Sequence, residues 1–235
     1  MTVRSICICT PSYTGSNKGQ YTDSLLETVN VLAPMGIEVT RAAFYGCALI
    51  SHARNALVQT FLEEANKDVL LFIDDDMSWR YTDVLAVIGG LESAPVVGVA
   101  YAQRRSDAKW FTFVPKTGAV PEQVNTILGT RTFLETEWMG TGFLAVSKAT
   151  IQNIHAASDE YVVGGKAFRE VFLGPKVSNG QLLGEDVLFG FKASYRGFKQ
   201  TVCLDSHIVH HGSEVEYDAR GVRPWLREWF KVDGL

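Results

Sequence analysis

Three consecutive aspartates, Asp74, Asp75 and Asp76, close the apolar run "LLFI". Like charges that near repel, and a carboxylate carried to the edge of a core is costly unless something positive meets it. A hard divalent cation, with its preference for oxygen ligands, is one solution. Alternation along an extended backbone sets Asp74 and Asp76 on one side with Asp75 turned away. The plainer solution is an acidic turn satisfied by Arg54, Arg80 or a helix N-terminus. On the residues alone, all three aspartates stay in play as ligands.

Two further clusters carry groups of a suitable kind. "LGEDV" sets Glu185 and Asp186 at the start of a helix, where a carboxylate is either a working base or an N-terminal cap. "HIVHHG" gathers His207, His210 and His211, which could complete a metal site begun by the aspartates or simply occupy a surface turn. Arg104 and Arg105 suit a diphosphate by their planar guanidinium groups, and equally a solvated edge. Trp110 and Trp138 could stack on a sugar or a base, and are as well suited to a core.

These groups need elements to hold them. "VRSICICTPSYTG" predicts a strand of about six residues broken at Pro11, then a polar loop. "SLLETVNVLAPMG" predicts a helix with Leu25, Val29 and Leu32 on one face, a capping box of Ser24 and Glu27, and a stop at Pro34 and Gly36. "IEVTRAAFYG" reads as a strand and "SHARNALVQTFLEEANKD" as a helix, with Leu57, Phe61 and Ala65 recurring at four. "VLLFI" has the continuous apolar pattern of a strand covered on both faces. A helix bearing Val84, Val87, Ile88 and Leu91 leads to the strand "VVGVAYA". Such alternation predicts a mostly parallel sheet flanked by helices, with ligands beyond the carboxyl ends of its strands. The aspartates and the loop after the first strand fall at that rim.

The second half is less regular. "WFTFVPKTGAV" predicts a hairpin around Lys116, Thr117 and Gly118. "TFLETEWMGTGFLAVSKATI" predicts a strand, a Gly-rich turn and a second strand running into a helix. Residues 155–181 read as a substrate-side loop region. "GEDVLFGFKASYRGF" is a helix closed at Gly197, and "KQTVCLD" the last strand. No repeat or low-complexity linker divides the chain, so residues 1–235 read as one domain.

The totals narrow the classes. The 235 residues carry a net charge of −4, against a general nucleic-acid or membrane-surface binder. No window approaches the roughly 18 uncharged apolar residues of a membrane span. Cys7, Cys9, Cys47 and Cys203 form no CxxC pair and read as reduced core thiols, Cys7 and Cys9 on one strand face, which predicts a cytoplasmic protein. The tail alternates Arg220, Arg223, Arg227 and Lys231 with Trp225, Trp229 and Phe230. It reads as a helix docked on the core or on a second copy in a homodimer, or as a patch for a polyanionic acceptor.

In order along the chain, "TPSYTG", "ARN", "FIDDDM", "MGTGFLAVSKATI", "GEDVLFGFKAS" and "HHG" resemble the motif series of GT-A-fold glycosyltransferases. The likeness is to family-2-like, often phage- or virus-encoded, inverting enzymes, and spans most of residues 3–212. It implies a Rossmann-like α/β fold that moves a sugar from a nucleotide-diphosphate donor, with UDP favoured, to a hydroxyl on a glycan or modified nucleobase. It further implies that Asp74 and Asp76 hold Mn²⁺ or Mg²⁺, with His210 as a late ligand and His211 as its rival in the doubled histidine. Thr10, Pro11, Ser12, Tyr13, Arg54, Asp75 and Arg104 would bind the donor. Trp138, Gly140, Thr141 and Gly142 would approach the sugar or acceptor. Asp186 would be the general base and Glu185 its acceptor-binding neighbour. The resemblance would make about 1–105 a nucleotide-sugar-binding half and about 106–235 an acceptor-binding, catalytic half with a smaller antiparallel part. For a viral protein the compartment implied is the host cytoplasm.

Two other readings compete. A nucleotidyltransferase needs a basic Gly-rich loop after the first strand, which "TPSYTGSNKG" matches poorly. A non-catalytic nucleotide- or carbohydrate-binding module would keep the acidic turn but have no use for Asp186.

Overall fold

The computed structural model describes residues 3–64, 66–103, 111–212, 216–218 and 225–226. Arg104, Arg105, Trp110 and the tail residues Arg220, Arg223, Arg227, Trp229, Phe230 and Lys231 lie outside them. The first half runs β1 (Ser5–Ser12), α1 (Gly19–Leu32), β2 (Glu38–Tyr45), α2 (Ile50–Glu63), β3 (Val69–Ile73), β4 (Met77–Ser78), α3 (Tyr81–Gly90) and β5 (Val96–Val99). There follow β6 (Phe113–Pro115), β7 (Glu122–Thr126), β8 (Gly129–Met139), β9 (Phe143–Ser147), α4 (Lys148–Ala156), β10 (Glu160–Val163) and β11 (Lys166–Arg169). The chain continues through β12 (Lys176–Ser178), β13 (Gln181–Leu183), α5 (Glu185–Tyr195), β14 (Gln200–Cys203), β15 (Val209–His211) and β16 (Glu216–Asp218).

The central sheet has the order β2-β1-β3-β9-β5-β14-β8-β6, with β7 also on β8. Strands β2, β1, β3, β5 and β14 run in a common direction, as the alternation of strand and helix predicts. The sheet is nonetheless mixed: β9 enters antiparallel between β3 and β5, and β8 antiparallel beside β14. This puts the turn Gly140–Gly142, which links β8 to β9, at the same sheet edge as the C-terminal end of β3.

Side-chain alternation in β3 explains its unbroken apolar run. Leu70 and Phe72 join Cys7, Cys9, Leu57, Phe61, Val146 and Ile151 on the face covered by α2 and α4. Val69, Leu71 and Ile73 join Ile6, Ile8, Tyr21, Val84 and Ile88 on the face covered by α1 and α3. With both faces covered, no position along β3 is left for a polar residue until the strand ends at Asp74.

Several expectations are corrected. Strand β1 continues through Pro11 to Ser12, paired with β2 alone after its last β3 partner, Cys9. With one flank open it behaves there as an edge strand, where proline is tolerated. Ser24 is not a helix cap: it lies inside α1, buried, and its Oγ accepts the Trp79 N–H at 3.0 Å. The predicted hairpin at Lys116–Gly118 is only a turn between β6 and β7, both of which pair with β8. The true hairpin turn is Ile127–Leu128, joining β7 to β8. The region 155–181 is not loop but includes hairpin β10–β11 and the first strand of hairpin β12–β13. Strand β14 is followed by β15, which pairs with β4 and β16. Of the four thiols, Cys47 is only partly buried. Among the described residues, no helix is long and apolar enough to cross a membrane.

Candidate functional site

The acidic turn and the acidic helix start meet at one arginine. Arg54, on α2, is 2 % exposed. Its Nη2 lies 3.0 Å from Asp74 Oδ1 and 3.3 Å from Oδ2, and its Nε lies 3.6 Å from Glu185 Oε1. Nη1 donates to the Thr141 carbonyl at 3.3 Å, and the guanidinium sits 5.3 Å from the centre of the Phe72 ring. The positive charge demanded by the aspartates is therefore internal. Burial works against the Arg54 charge, but Asp74 and Glu185 outweigh it and hold the group more firmly protonated. Burial pushes the Asp74 carboxyl up, and Arg54 offsets part of that rise.

Each cluster thus has an inner carboxylate on Arg54 and an outer one beside it. Asp76 is the outer member at the β3 end, with Oδ2 3.4 Å from His210 Nε2. Pairing of β15 with β4 sets His210 opposite Met77, which brings the imidazole to the acidic turn. His210 Nδ1 lies 3.2 Å from the Ala102 carbonyl, which can only accept, so Nδ1 carries a proton. Asp186 is the outer member at the start of α5, its Oδ1 accepting the Val187 N–H at 2.7 Å. Burial, then the charge of Glu185, raises the Asp186 carboxyl above its ordinary value. A carboxyl adjusted this way is suited to taking a proton.

The other two histidines serve differently. His207 is held at the start of α3, where Asp83 Oδ1 accepts its backbone N–H at 3.0 Å. His211 Nε2 bonds Ser78 Oγ at 2.7 Å, and its backbone N–H donates to the Asp76 carbonyl at 2.8 Å.

A cleft of about 420 Å³ opens beside Asp75 and Asp76, lined also by Tyr13, Thr14, Ser16, Asn17, Lys18 and His211. The loop after β1 is tied down across it: the Lys18 N–H donates to the Asp75 carbonyl at 3.1 Å, and Arg41 Nη2 reaches Asn17 Oδ1 at 3.3 Å. Of the expected run Thr10, Pro11, Ser12 and Tyr13, only the last lines the cleft. Thr10 is buried with its hydroxyl on Tyr21, while Pro11 and Ser12 are buried within β1. Tyr13, 68 % exposed, is the first of that run to line it.

Gly140 and Gly142 have an internal reason to be glycine. A Cβ on Gly142 would stand 2.7 Å from both the Tyr101 hydroxyl and Met77 Cε, and one on Gly140 would collide with the same hydroxyl. Trp138 is half-buried, and its backbone and Cβ fill the space that a side chain at Gly190 of α5 would need. Tyr101 carries no expectation from the sequence. The available signal was its place near the end of the predicted strand "VVGVAYA", which stops instead at Val99, in an open sheet where ligands bind beyond strand ends. Asn17 and Lys18 were signalled only by lying between that first strand and its helix.

For a metal, no group of three or more His, Cys, Asp or Glu among the described residues is arranged to hold an ion by itself. The pair Asp76 and His210 does fit a cation that arrives with its substrate. His210 Nε2 and Asp76 Oδ2 face each other at 3.4 Å, a nitrogen and an oxygen of the kinds that bind divalent cations. Mg²⁺-type ions commonly use one or two protein ligands and complete their shell with phosphate oxygens and water.

A helix-flanked, partly parallel sheet with acidic groups at its strand ends is an α/β architecture. Among solved structures the chain is similar to A197 from STIV, with a TM-score of 0.54 at 16% identity over 89% of this chain and 86% of that one. That likeness establishes a shared fold. Two fainter ones carry no weight. One is to S. aureus TarS 1–349, with a TM-score of 0.45 at 13% identity over 84% of this chain and 57% of that one. The other is to a glycosyltransferase involved in the glycosylation of the major capsid of PBCV-1, with a TM-score of 0.34 at 10% identity over 63% and 62%. No protein-family model and no curated protein matches the chain.

Proposed function

We propose that the protein is a glycosyltransferase that moves a sugar from a nucleoside-diphosphate donor, UDP favoured, to an acceptor hydroxyl with inversion. The observation that supports this reading is the convergence of two acidic clusters on Arg54, which brings the Asp76–His210 pair and Asp186 to one sheet edge. Asp76 and His210 would hold Mn²⁺ or Mg²⁺, which when bound neutralises charge developing on the leaving diphosphate. The loop after β1 would hold the nucleoside in the cleft, with Tyr13 as its exposed aromatic and Lys18 near the phosphates. Asp186 takes the proton of the acceptor hydroxyl as its oxygen bonds the anomeric carbon. The bond from that carbon to the diphosphate oxygen breaks, and its electron pair leaves with the nucleotide. Arg54 binds no donor in this scheme; it balances the charges of Asp74 and Glu185. The acceptor we infer is a hydroxyl of a glycan or a modified nucleobase. The unbridged thiols favour action in the cytoplasm.

Nucleotide release from a panel of UDP-sugars with Mn²⁺, in wild type and Asp186→Asn, tests the reading. Release by wild type, reduced about 10²–10⁴-fold in the variant with UDP affinity retained, is expected. Absence of release from every donor, or undiminished release in Asp186→Asn, would remove the proposal and favour a binding module.

A further inference from the structure

Tyr101 stands at the centre of the rim with no role yet. It is 4 % exposed, two residues past the end of β5. Its ring meets the His210 imidazole edge-on, with centroids 5.8 Å apart and planes at 82°. Its hydroxyl accepts the Gly142 N–H at 2.9 Å. The Gly142 carbonyl in turn accepts the Asp74 N–H at 3.0 Å. One side chain therefore touches the histidine on β15 through its ring and the turn that fixes the acidic loop through its hydroxyl.

The surroundings are shaped to admit that hydroxyl. Neither Gly140 nor Gly142 could carry a side chain without displacing it, and a Cβ at Gly142 would also come within 3.1 Å of Asp74 Oδ2. Two further polar groups of the turn are committed elsewhere: the Gly140 N–H bonds the Thr112 carbonyl, and the Thr141 carbonyl receives Arg54. Hydrophobic packing alone explains a buried ring here. It does not explain an oxygen placed where only two glycines allow it.

We infer that Tyr101 is a positioning residue of the donor site: its hydroxyl sets the spacing between the aspartate turn and His210, so that Asp76 and His210 meet one cation carried by a nucleoside diphosphate. This rests on the transferase reading above. A phenylalanine at this position keeps the ring against His210 and deletes only the oxygen, and groups that orient metal ligands typically contribute 10–100-fold to metal affinity.

Calorimetric titration of UDP with and without MnCl₂ into wild type and Tyr101→Phe, in the absence of any sugar donor or acceptor, tests the inference. Thermal melting of both proteins without ligand runs beside it. The expected result is a roughly tenfold or greater loss of Mn²⁺-dependent UDP affinity in Tyr101→Phe, with the unliganded melting temperature little changed. A second variant, Gly142→Ala, acts on the same contact from the other side and should weaken Mn²⁺-dependent binding as well. Equal affinity in wild type and Tyr101→Phe overturns the inference while leaving the transferase reading intact. A Tyr101→Phe loss that is the same with and without Mn²⁺ also overturns it, because a general loosening of the fold would act that way. Failure of wild type to bind UDP under either condition overturns the transferase reading and this inference together.

Discussion

The turn after β3 and the start of α5 pose the same electrostatic problem and solve it the same way. Each sets adjacent carboxylates at an element end facing the rim, and each gives one of them, Asp74 or Glu185, to the buried Arg54. They differ in what surrounds the neighbour left over. Asp76 looks onto an imidazole and a cleft, whereas Asp186 is bonded to the first turn of its own helix and pushed up by burial and by Glu185. The same residue type thereby meets two different surroundings in the two clusters. A sequence reading that treats neighbouring carboxylates as interchangeable misses this division between inner and outer members.

Substitution should break the comparison unevenly. The largest effect belongs to the outer base: Asp186→Asn should lower turnover about 10²–10⁴-fold, while the isosteric Glu185→Gln should mainly lower stability. Steady-state rates paired with melting curves separate the two. Next comes the shared cation. Arg54→Met leaves Asp74 and Glu185 without their counter-charge and should cost about 3–5 kcal/mol in urea unfolding. Adding Asp74→Asn to that variant should return part of the loss; a loss unchanged by the second substitution would mean that the pair is not coupled.

The histidines sharpen the comparison further. His210→Ala should weaken Mn²⁺-dependent nucleotide binding by roughly 10–100-fold. His207→Ala should leave that binding unchanged and cost about 1 kcal/mol of stability, because its ring bonds the Asp83 carboxylate. The smallest effect is on the pH dependence of stability. Asp186 has its folded pKa raised above the ordinary 3.8, so its ionisation opposes folding. Asp186→Asn should therefore match wild type below pH 3.8 and become the more stable protein as pH rises through the raised value. Melting temperatures across that range would contradict the assignment if the advantage appeared at low pH instead.

Much of this was legible in the chain, and the part that was not has a physical reason. The helices α2, α3 and α5 and the strand "VLLFI" announce themselves because burial of one face or two imposes a period on the sequence. The place of the aspartates followed from that strand alone. Ser24 misled because a hydroxyl near a helix start suits a cap, yet the loop carrying Trp79 claims it. The antiparallel entry of β9 between β3 and β5 is a long-range pairing with no local signature. Arg54 could be named as a candidate counter-charge, but its second partner, Glu185, is 131 positions away in the chain, and only the fold brings them together. That His210 lies beside Asp76 depends on the register of β15 on β4, which no local pattern in "HHG" announces. Tyr101 read as one more apolar residue of the strand "VVGVAYA".

The central claim is that the outer carboxylate of the first cluster serves a cation brought by the nucleotide. Thermal melting of wild type and Asp76→Ala against a panel of nucleoside diphosphates, with and without Mn²⁺, tests it most directly. A ligand at about 100 times its dissociation constant stabilises the fold by about 2.7 kcal/mol. The prediction is that wild type shows a shift of that order with one diphosphate only when Mn²⁺ is present, and that Asp76→Ala melts like unliganded wild type under every condition. A shift of equal size in Asp76→Ala, or no shift with any nucleotide, would contradict it.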